Sequence, residues 1–298
     1  MRYLRSCGLL GLCALVVGSS LLAQNRAITI KGSDTMVLLG QRWAEVYMKK
    51  NPGVKIQVTG GGSGTGIAAL INGTTDICES SRPMKDKEKD SIKEKFGKGP
   101  KEIPVAVDGL AIYLHNSNPV TEFSLEQLRD IYTGRLTNWK DVGGKDAKII
   151  LYSRENNSGT YAYFKEHVLE NKDFHPSAQT LPGTAAVVNA VAKDPKAIGY
   201  GGIAYHKGIR TVKVKKDASS PAVEPTMETV LGGTYPISRN LFWYVPQDSN
   251  SEVQKLVAWV LSPEGQNIVK DVGYYPLPKT AETSMSGSPK KSAKGKAH

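Results

Sequence analysis

An α/β protein of two lobes with a cleft between them is the fold class that the sequence predicts, and three observations predict it. Short apolar strands alternate with amphipathic helices along nearly the whole chain, the pattern of sheets joined by crossover helices. Two apolar segments, one around Asp108 and one around Leu241, each carry the chain from one α/β unit to the other without a linker. Three of the strand-to-helix turns are clusters of Gly, Ser and Thr, at residues 32–35, 60–66 and 153–160. Two crossings make two lobes on a hinge, and ligands of open α/β sheets bind where helix N-termini face the strand ends.

The elements follow in order. Ile28, Thr29 and Ile30 form a short strand that runs into Gly32-Ser33-Asp34-Thr35. The helix after it carries Leu39, Trp43, Val46 and Tyr47 on one face and stops at Asn51-Pro52-Gly53. Val54, Ile56 and Val58 alternate as a strand, followed by the glycine-rich turn 60–66 and a helix with Ile67, Leu70 and Ile71. Asp76-Ile77-Cys78 is a third strand, and residues 85–98 are a charged, solvated helix. Residues 103–107 and 110–114 are expected as two strands separated by Asp108-Gly109. Helices follow at Leu125/Leu128/Ile131 and, after the strand 148–152, at Tyr161/Phe164/Val168. A further helix carries Ala186, Val187, Ala190 and Val191, and Ile198-Gly199-Tyr200 is a strand. Residues 241–245 are strand-like, and Val253, Leu256, Val257 and Val260 mark an amphipathic helix before a last one over 264–272.

The turn at 153–160 has the clearest chemistry. Ser158 is placed to cap the helix, with Gly159 in its first turn. A helix start offers free N–H groups and the positive end of a dipole, and Arg154 stands four residues ahead of the cap. Hydroxyls, amides and a guanidinium converging on one point suit a tetrahedral oxyanion. The turn 60–66 lacks the Gly-Lys-Ser/Thr ending of a phosphate-binding loop for nucleotides, and its glycine spacing does not fit a dinucleotide site. The pair Ser80-Ser81 is a fourth candidate at a strand end, while Arg82 either lines the cleft or pairs with the acids after it.

Composition bounds the function. The 298 residues carry a formal charge of +11. Two leader arginines and a net three positive charges in the last 18 residues account for five of these, leaving +6 for the body. That balance suits an anionic ligand and, with no aromatic stripe beside it, does not indicate nucleic acid. Enzyme signatures are missing: the five histidines are scattered with no metal spacing, Ser158 is not in a nucleophile elbow, and no carboxylate pair stands out. No metal and no cofactor are expected. Residues 1–23, with Arg2 and Arg5 before the apolar run 8–17, read as a signal peptide; a lipid anchor at Cys7 or Cys13 is the rival, and the residues around both fit it poorly. Cys78 is left as a small buried hydrophobe, and the Ser/Gly/Lys/Pro tail has nothing to bury.

Ten motifs in order carry a resemblance: 32–36 GSDTM, 59–66 TGGGSGTG, 80–84 SSRPM, 108–111 DGLA, 132–135 YTGR, 138–139 NW, 158–160 SGT, 198–200 IGY, 235–239 YPISR and 264–266 EGQ. Together they resemble the phosphate-binding proteins of bacterial phosphate ABC transporters, over about residues 28–278. The resemblance implies a periplasmic-binding-protein fold of type II, with two mixed sheets and two hinge crossings. Its parts would be a signal peptide (1–23), lobe I (24–107 and 236–280), lobe II (108–235) and a Lys-rich tail (281–298). It implies a monomer in the periplasm that takes inorganic phosphate to a membrane permease complex. Binding proteins for sulfate or molybdate and a secreted phosphatase are the alternatives.

Residue by residue, the resemblance implies phosphate ligands at Arg154, Ser158, Gly159 and Thr160, at Ser63, and in the first turn among Ser33, Asp34 and Thr35. Ser81 stands where well-known members have the Asp that accepts the phosphate proton; a shorter branch often has Ser-Arg there. Telling phosphate from sulfate needs such an acceptor, because sulfate has no proton at neutral pH. Asp34 is the first candidate and Glu79 the second, with an N-cap of the first helix as the other reading of Asp34.

Overall fold

The computed structural model describes residues 26–278. The leader and the Lys-rich tail, with the expectations placed on them, lie outside the described residues. Eleven strands and nine α-helices are described. The first α/β unit runs β1 (Ile28–Gly32), α1 (Val37–Lys50), β2 (Ile56–Thr59), α2 (Ser63–Asn72), β3 (Ile77–Ser80) and α3 (Asp86–Phe96). The chain continues as β4 (Lys101–Leu114), β5 (Glu122–Ser124), α4 (Leu125–Tyr132), β6 (Ile150–Arg154), α5 (Gly159–His167), β7 (Gln179–Leu181), α6 (Gly183–Lys193) and β8 (Ala197–Gly202). It ends with β9 (Arg210–Thr211), β10 (Lys213–Lys215), α7 (Met227–Leu231), β11 (Ser238–Val245), α8 (Ser251–Leu261) and α9 (Pro263–Val272).

The strands lie in the order β2-β1-β3-β11-β4-β8-β6-β7, with β9 beside β4. β1 is parallel to β2 and β3, and β6 is parallel to β7 and β8, as crossover helices require. β11 is antiparallel to both β3 and β4, and β4 is antiparallel to β8. β4 joins the two sheets: residues 101–109 pair with β11, and Leu110–Leu114 pair with β8.

This corrects one expectation. Residues 101–114 are a single strand of 14 residues, not two strands broken at Asp108-Gly109. Asp108 stays in the strand because Arg239, its partner in register on β11, neutralises it. The only slip in that pairing lies at Leu241/Phe242, opposite Pro104, which has no N–H to give the ladder. Residues 139–142 form a 3-10 turn, with Asn138 as its cap.

Apolar burial follows the sheets. Around β1, β4 and β11, Trp43 of α1 meets Trp243 edge-on at 5.2 Å between centroids, with Leu256 of α8 and Val269 of α9 beside them. Around β6 and β8, Phe164 of α5 stacks on Tyr200 at 4.0 Å, against Leu110, Leu128 and Ile131. Both stacks fix a helix whose N-terminal side carries candidate ligands. Among the described residues, no helix is long and apolar enough to cross a membrane.

Candidate functional site

The turns singled out in the sequence converge in space. Ser33 and Thr35 follow β1, Ser63 opens α2, Ser81 follows β3, and Ser158, Gly159 and Thr160 open α5 after β6. All five serines and threonines of the central cluster, Ser33, Thr35, Ser63, Ser81 and Thr160, are buried, as are Ser158 and Arg154. Buried hydroxyls need partners, and here they find one another. Ser33 Oγ donates to Ser81 Oγ at 2.8 Å, and Ser81 Oγ lies 3.4 Å from Ser63 Oγ. Ser63 Oγ also accepts from the Ser81 N–H at 3.0 Å. Thr35 and Thr160 share a hydrogen bond of 2.8 Å between their Oγ1 atoms, across the cleft.

The α5 turn forms as its sequence dictates. Ser158 is the N-cap, and its Oγ accepts from the N–H groups of Thr160 and Tyr161. Gly159 is required for a different reason. A Cβ there would stand 2.3 Å from Ser63 Oγ and 2.7 Å from Ser81 Oγ, so only glycine lets α5 approach the opposite hydroxyls this closely. Gly62, at φ 89°, has the matching role before α2: a Cβ would meet the Asn157 carbonyl at 2.7 Å. The two sides touch around this point. The Gly64 N–H donates to Asn157 O at 2.9 Å, and Asn157 Nδ2 donates to Gly61 O at 3.0 Å.

Arg154 ends β6 and is 1% exposed. Its Nη2 donates to Asp34 Oδ2 at 2.7 Å and its Nη1 to Thr184 Oγ1 at 2.9 Å, while Nε, also buried, has no partner among the described residues. Asp34 Oδ1 accepts from the Gly61 N–H, and the Asp34 carbonyl accepts from Tyr205 Oη. Asp34 is therefore a cross-cleft partner of Arg154 and not a helix cap; the cap position of α1 belongs to Met36.

Glu79 does not reach the cluster in this arrangement. Its carboxylate packs against Gly40 of α1 and accepts from Trp243 Nε1 at 3.1 Å. Its other oxygen has no partner, and burial pushes the carboxyl up to about 8. Arg82 pairs with Glu88 through two hydrogen bonds, at 2.9 and 2.8 Å, so the simpler reading holds for it. Cys78 is buried, and burial raises its thiol.

Sequence reasoning gave no role to three residues that the structure ties to the site: Thr184, Asp108 and Arg239. Arg239 donates from Nε and Nη2 to Asp108 Oδ2, at 3.0 and 2.9 Å, and from Nη2 to Thr160 Oγ1 at 3.0 Å. The available signal was an Asp inside one apolar strand and an Arg heading another, since opposite charges in two buried strands call for each other. Among the described residues no cluster of His, Cys, Asp and Glu could hold a metal ion.

Comparison with known proteins gives the family. The family model described as a PBP superfamily domain matches residues 19–264. The phosphate-binding protein PstS of Pseudomonas aeruginosa is 39% identical over 272 residues, covering 85% of this chain and 84% of that protein. The PstS of Staphylococcus epidermidis is 34% identical, covering 86% and 80%. A Clostridium perfringens structure described as a phosphate ABC transporter substrate-binding protein with bound phosphate superposes with a TM-score of 0.78 at 32% identity, covering 85% of this chain and all of that one. An ABC-type phosphate transport receptor of Vibrio cholerae superposes with a TM-score of 0.68 at 29% identity, covering 84% and 100%. The chain belongs to the PBP superfamily and, within it, to the family of the phosphate-binding protein PstS.

Proposed function

We propose that the chain captures inorganic phosphate in the cleft and delivers it to the permease of an ABC transporter, as an exported, monomeric binding protein of the periplasm without catalytic activity. One observation carries this reading: buried hydroxyls from both sides of the cleft meet at the N-termini of α2 and α5, beside a buried guanidinium with an unpartnered N–H. Such a set offers a tetrahedral anion donors from several directions, and a buried cation needs an anion near it. The hydroxyls bond to one another and to backbone N–H groups, and none of them is hydrogen-bonded, among the described residues, to a histidine or a carboxylate that would activate it as a nucleophile.

In this reading Ser33, Thr35, Ser63 and Ser81 bind from lobe I (24–107 and 236–280). Arg154, Ser158, Gly159 and Thr160 bind from lobe II (108–235). Hydrogen bonds to a charged group contribute roughly 1.5–3 kcal/mol each, so a few suffice for micromolar affinity, about −8 kcal/mol. A ligand gripped by both lobes favours closure by its differential affinity, and the permease reads the closed form. Asp34, the carboxylate bonded to Arg154, accepts the phosphate proton, and this rejects sulfate.

Thermal unfolding with phosphate, sulfate and molybdate tests the reading. Phosphate alone is expected to raise Tm, by an amount that grows with the logarithm of its concentration. Stabilisation by sulfate or molybdate instead would assign another oxyanion. No shift with any of the three would refute a binding role, and turnover of a chromogenic phosphate ester would point to a phosphatase.

A further inference from the structure

We infer that Arg239, held by Asp108, is a positioning residue that fixes Thr160 against Thr35 and so sets the closed form of the cleft. It contacts the candidate ligands without being one, and the inference rests on the proposed binding site only in its last step.

The two residues come from neighbouring strands, β11 and the β4 strand that joins the sheets. Arg239 is the second residue of β11, Asp108 lies near the middle of β4, and they are paired in register. Their side chains are 2% and 0% exposed, so the pair interacts with almost no screening by water. A guanidinium is a fork, and this one reaches two ways. Nε and Nη2 grip Asp108 Oδ2, and Nη2 also donates to Thr160 Oγ1. The same guanidinium lies over the Tyr163 ring, one helical turn along α5, at 5.2 Å from its centroid. It therefore holds the first turn of α5 by two independent contacts.

The chain of contacts continues on both sides. Thr160 Oγ1 is bonded to Thr35 Oγ1, and the Thr35 carbonyl accepts from Tyr274 Oη, beyond α9. Asp108 Oδ1 accepts from the Ile203 N–H just after β8. One buried ion pair thus links β4, β11, β8, α5 and the turn after β1. A change in the angle between β4 and β11 would have to break the Thr160 contact or drag α5 with it. The remaining nitrogen, Nη1, is buried and has no partner among the described residues.

The test uses amide hydrogen exchange, first without any ligand. The Gly64 N–H donates across the cleft to Asn157 O and reports opening. The N–H groups of Ser33, bonded to Glu79 O, and of Ile150, bonded to Lys196 O, serve as controls away from that crossing. Arg239→Met with Asp108→Asn removes both charges together, leaving no unpaired buried ion and keeping an acceptor for Ile203. Exchange at Gly64 is expected to speed up at least tenfold in this variant, with Ser33 and Ile150 unchanged. Arg239→Lys keeps the charge and the partner Asp108 but lacks the fork. It is expected to fold like the parent and still accelerate Gly64, which keeps the test valid should the double variant fail to fold. Parental exchange at Gly64 in either folded variant would overturn the inference.

A phosphate arm separates it from the ligand assignment. In the parent and the variants, phosphate dissociation is followed by stopped flow, and the variants are expected to release it at least tenfold faster. A parent that binds no phosphate refutes that ligand and leaves the exchange result to decide the role of Arg239.

Discussion

Two buried Arg–Asp pairs cross the molecule, and they differ in what surrounds them. Arg154 meets Asp34 at 2.7 Å, with the Asp side chain 18% exposed. Arg239 meets Asp108 at 2.9 Å, with the Asp fully buried. The first pair joins the end of β6 to the turn after β1 across the cleft; the second joins two adjacent strands. The first Asp can turn to solvent, so its bond to Arg154 is exchangeable. The second has no such alternative, and its charge is held only by Arg239 and the Ile203 N–H. Identical chemistry thus makes a replaceable counter-ion in one place and a fixed joint in the other.

Truncating each Asp breaks the comparison most directly. Asp108→Ala leaves Arg239 buried without an anion and is expected to cost about 3–5 kcal/mol of stability. Asp34→Ala is expected to cost less, about 2 kcal/mol: Arg154 also loses its anion, but the pair is partly hydrated on the Asp34 side, so water can take the place of the carboxylate. Urea unfolding measures both. Equal losses would show that exposure does not separate the pairs. Phosphate is further expected to restore the Asp34→Ala protein toward parental stability and to leave Asp108→Ala short of it.

Gly159→Ala sharpens the same contrast on the cleft side. The added Cβ would stand 2.3 Å from Ser63 Oγ, which cannot swing away freely because it accepts from the Ser81 N–H. The closed form becomes strained while the open form loses nothing, and alanine is at home in the first turn of a helix. Phosphate affinity is expected to fall at least tenfold, about 1.4 kcal/mol, with little change in the Tm of the ligand-free protein. Calorimetric titration with parental affinity would mean that α5 and α2 do not approach this closely when phosphate is bound.

The contrast also explains what the sequence did and did not disclose. The α5 turn was legible because its signals are local: Ser158 caps, Gly159 follows, and the apolar period begins at Tyr161. The alternation of strands and helices through β3 was legible for the same reason. Asp34 was ambiguous because a Gly-Ser-Asp-Thr turn offers three N-cap candidates, and the choice was made by Arg154, 120 residues away. The Asp108–Arg239 pair was missed because it depends on the register of two strands 131 residues apart. For the same reason Asp108-Gly109 resembled a break in β4. A charge in an apolar run marks a turn unless a distant partner cancels it.

Glu79 gives the smallest effect and completes the comparison, being a buried carboxyl with no cation paired to it among the described residues. It lies at the end of β3, whose backbone carries the Ser33 turn, since Glu79 O accepts from the Ser33 N–H. Burial raises its pKa to about 8, and the bond from Trp243 Nε1–H only partly offsets this. The folded protein therefore holds a proton that the unfolded chain releases near 4.5. Stability must then be lost as pH rises from about 4.5 through about 8, the reverse of the usual behaviour of a carboxylate paired with arginine. Glu79→Gln keeps the shape and an oxygen for Trp243 and removes the titration. The variant is expected to match the parent near pH 5 and to be more stable by about 1 kcal/mol at pH 7, the full shift being reduced as the interior relaxes around the charge. Urea unfolding across this range decides it. Parallel curves for parent and variant would mean that Glu79 is ionised in the folded state, and so has found a cation or water that the other two carboxylates reach through arginine.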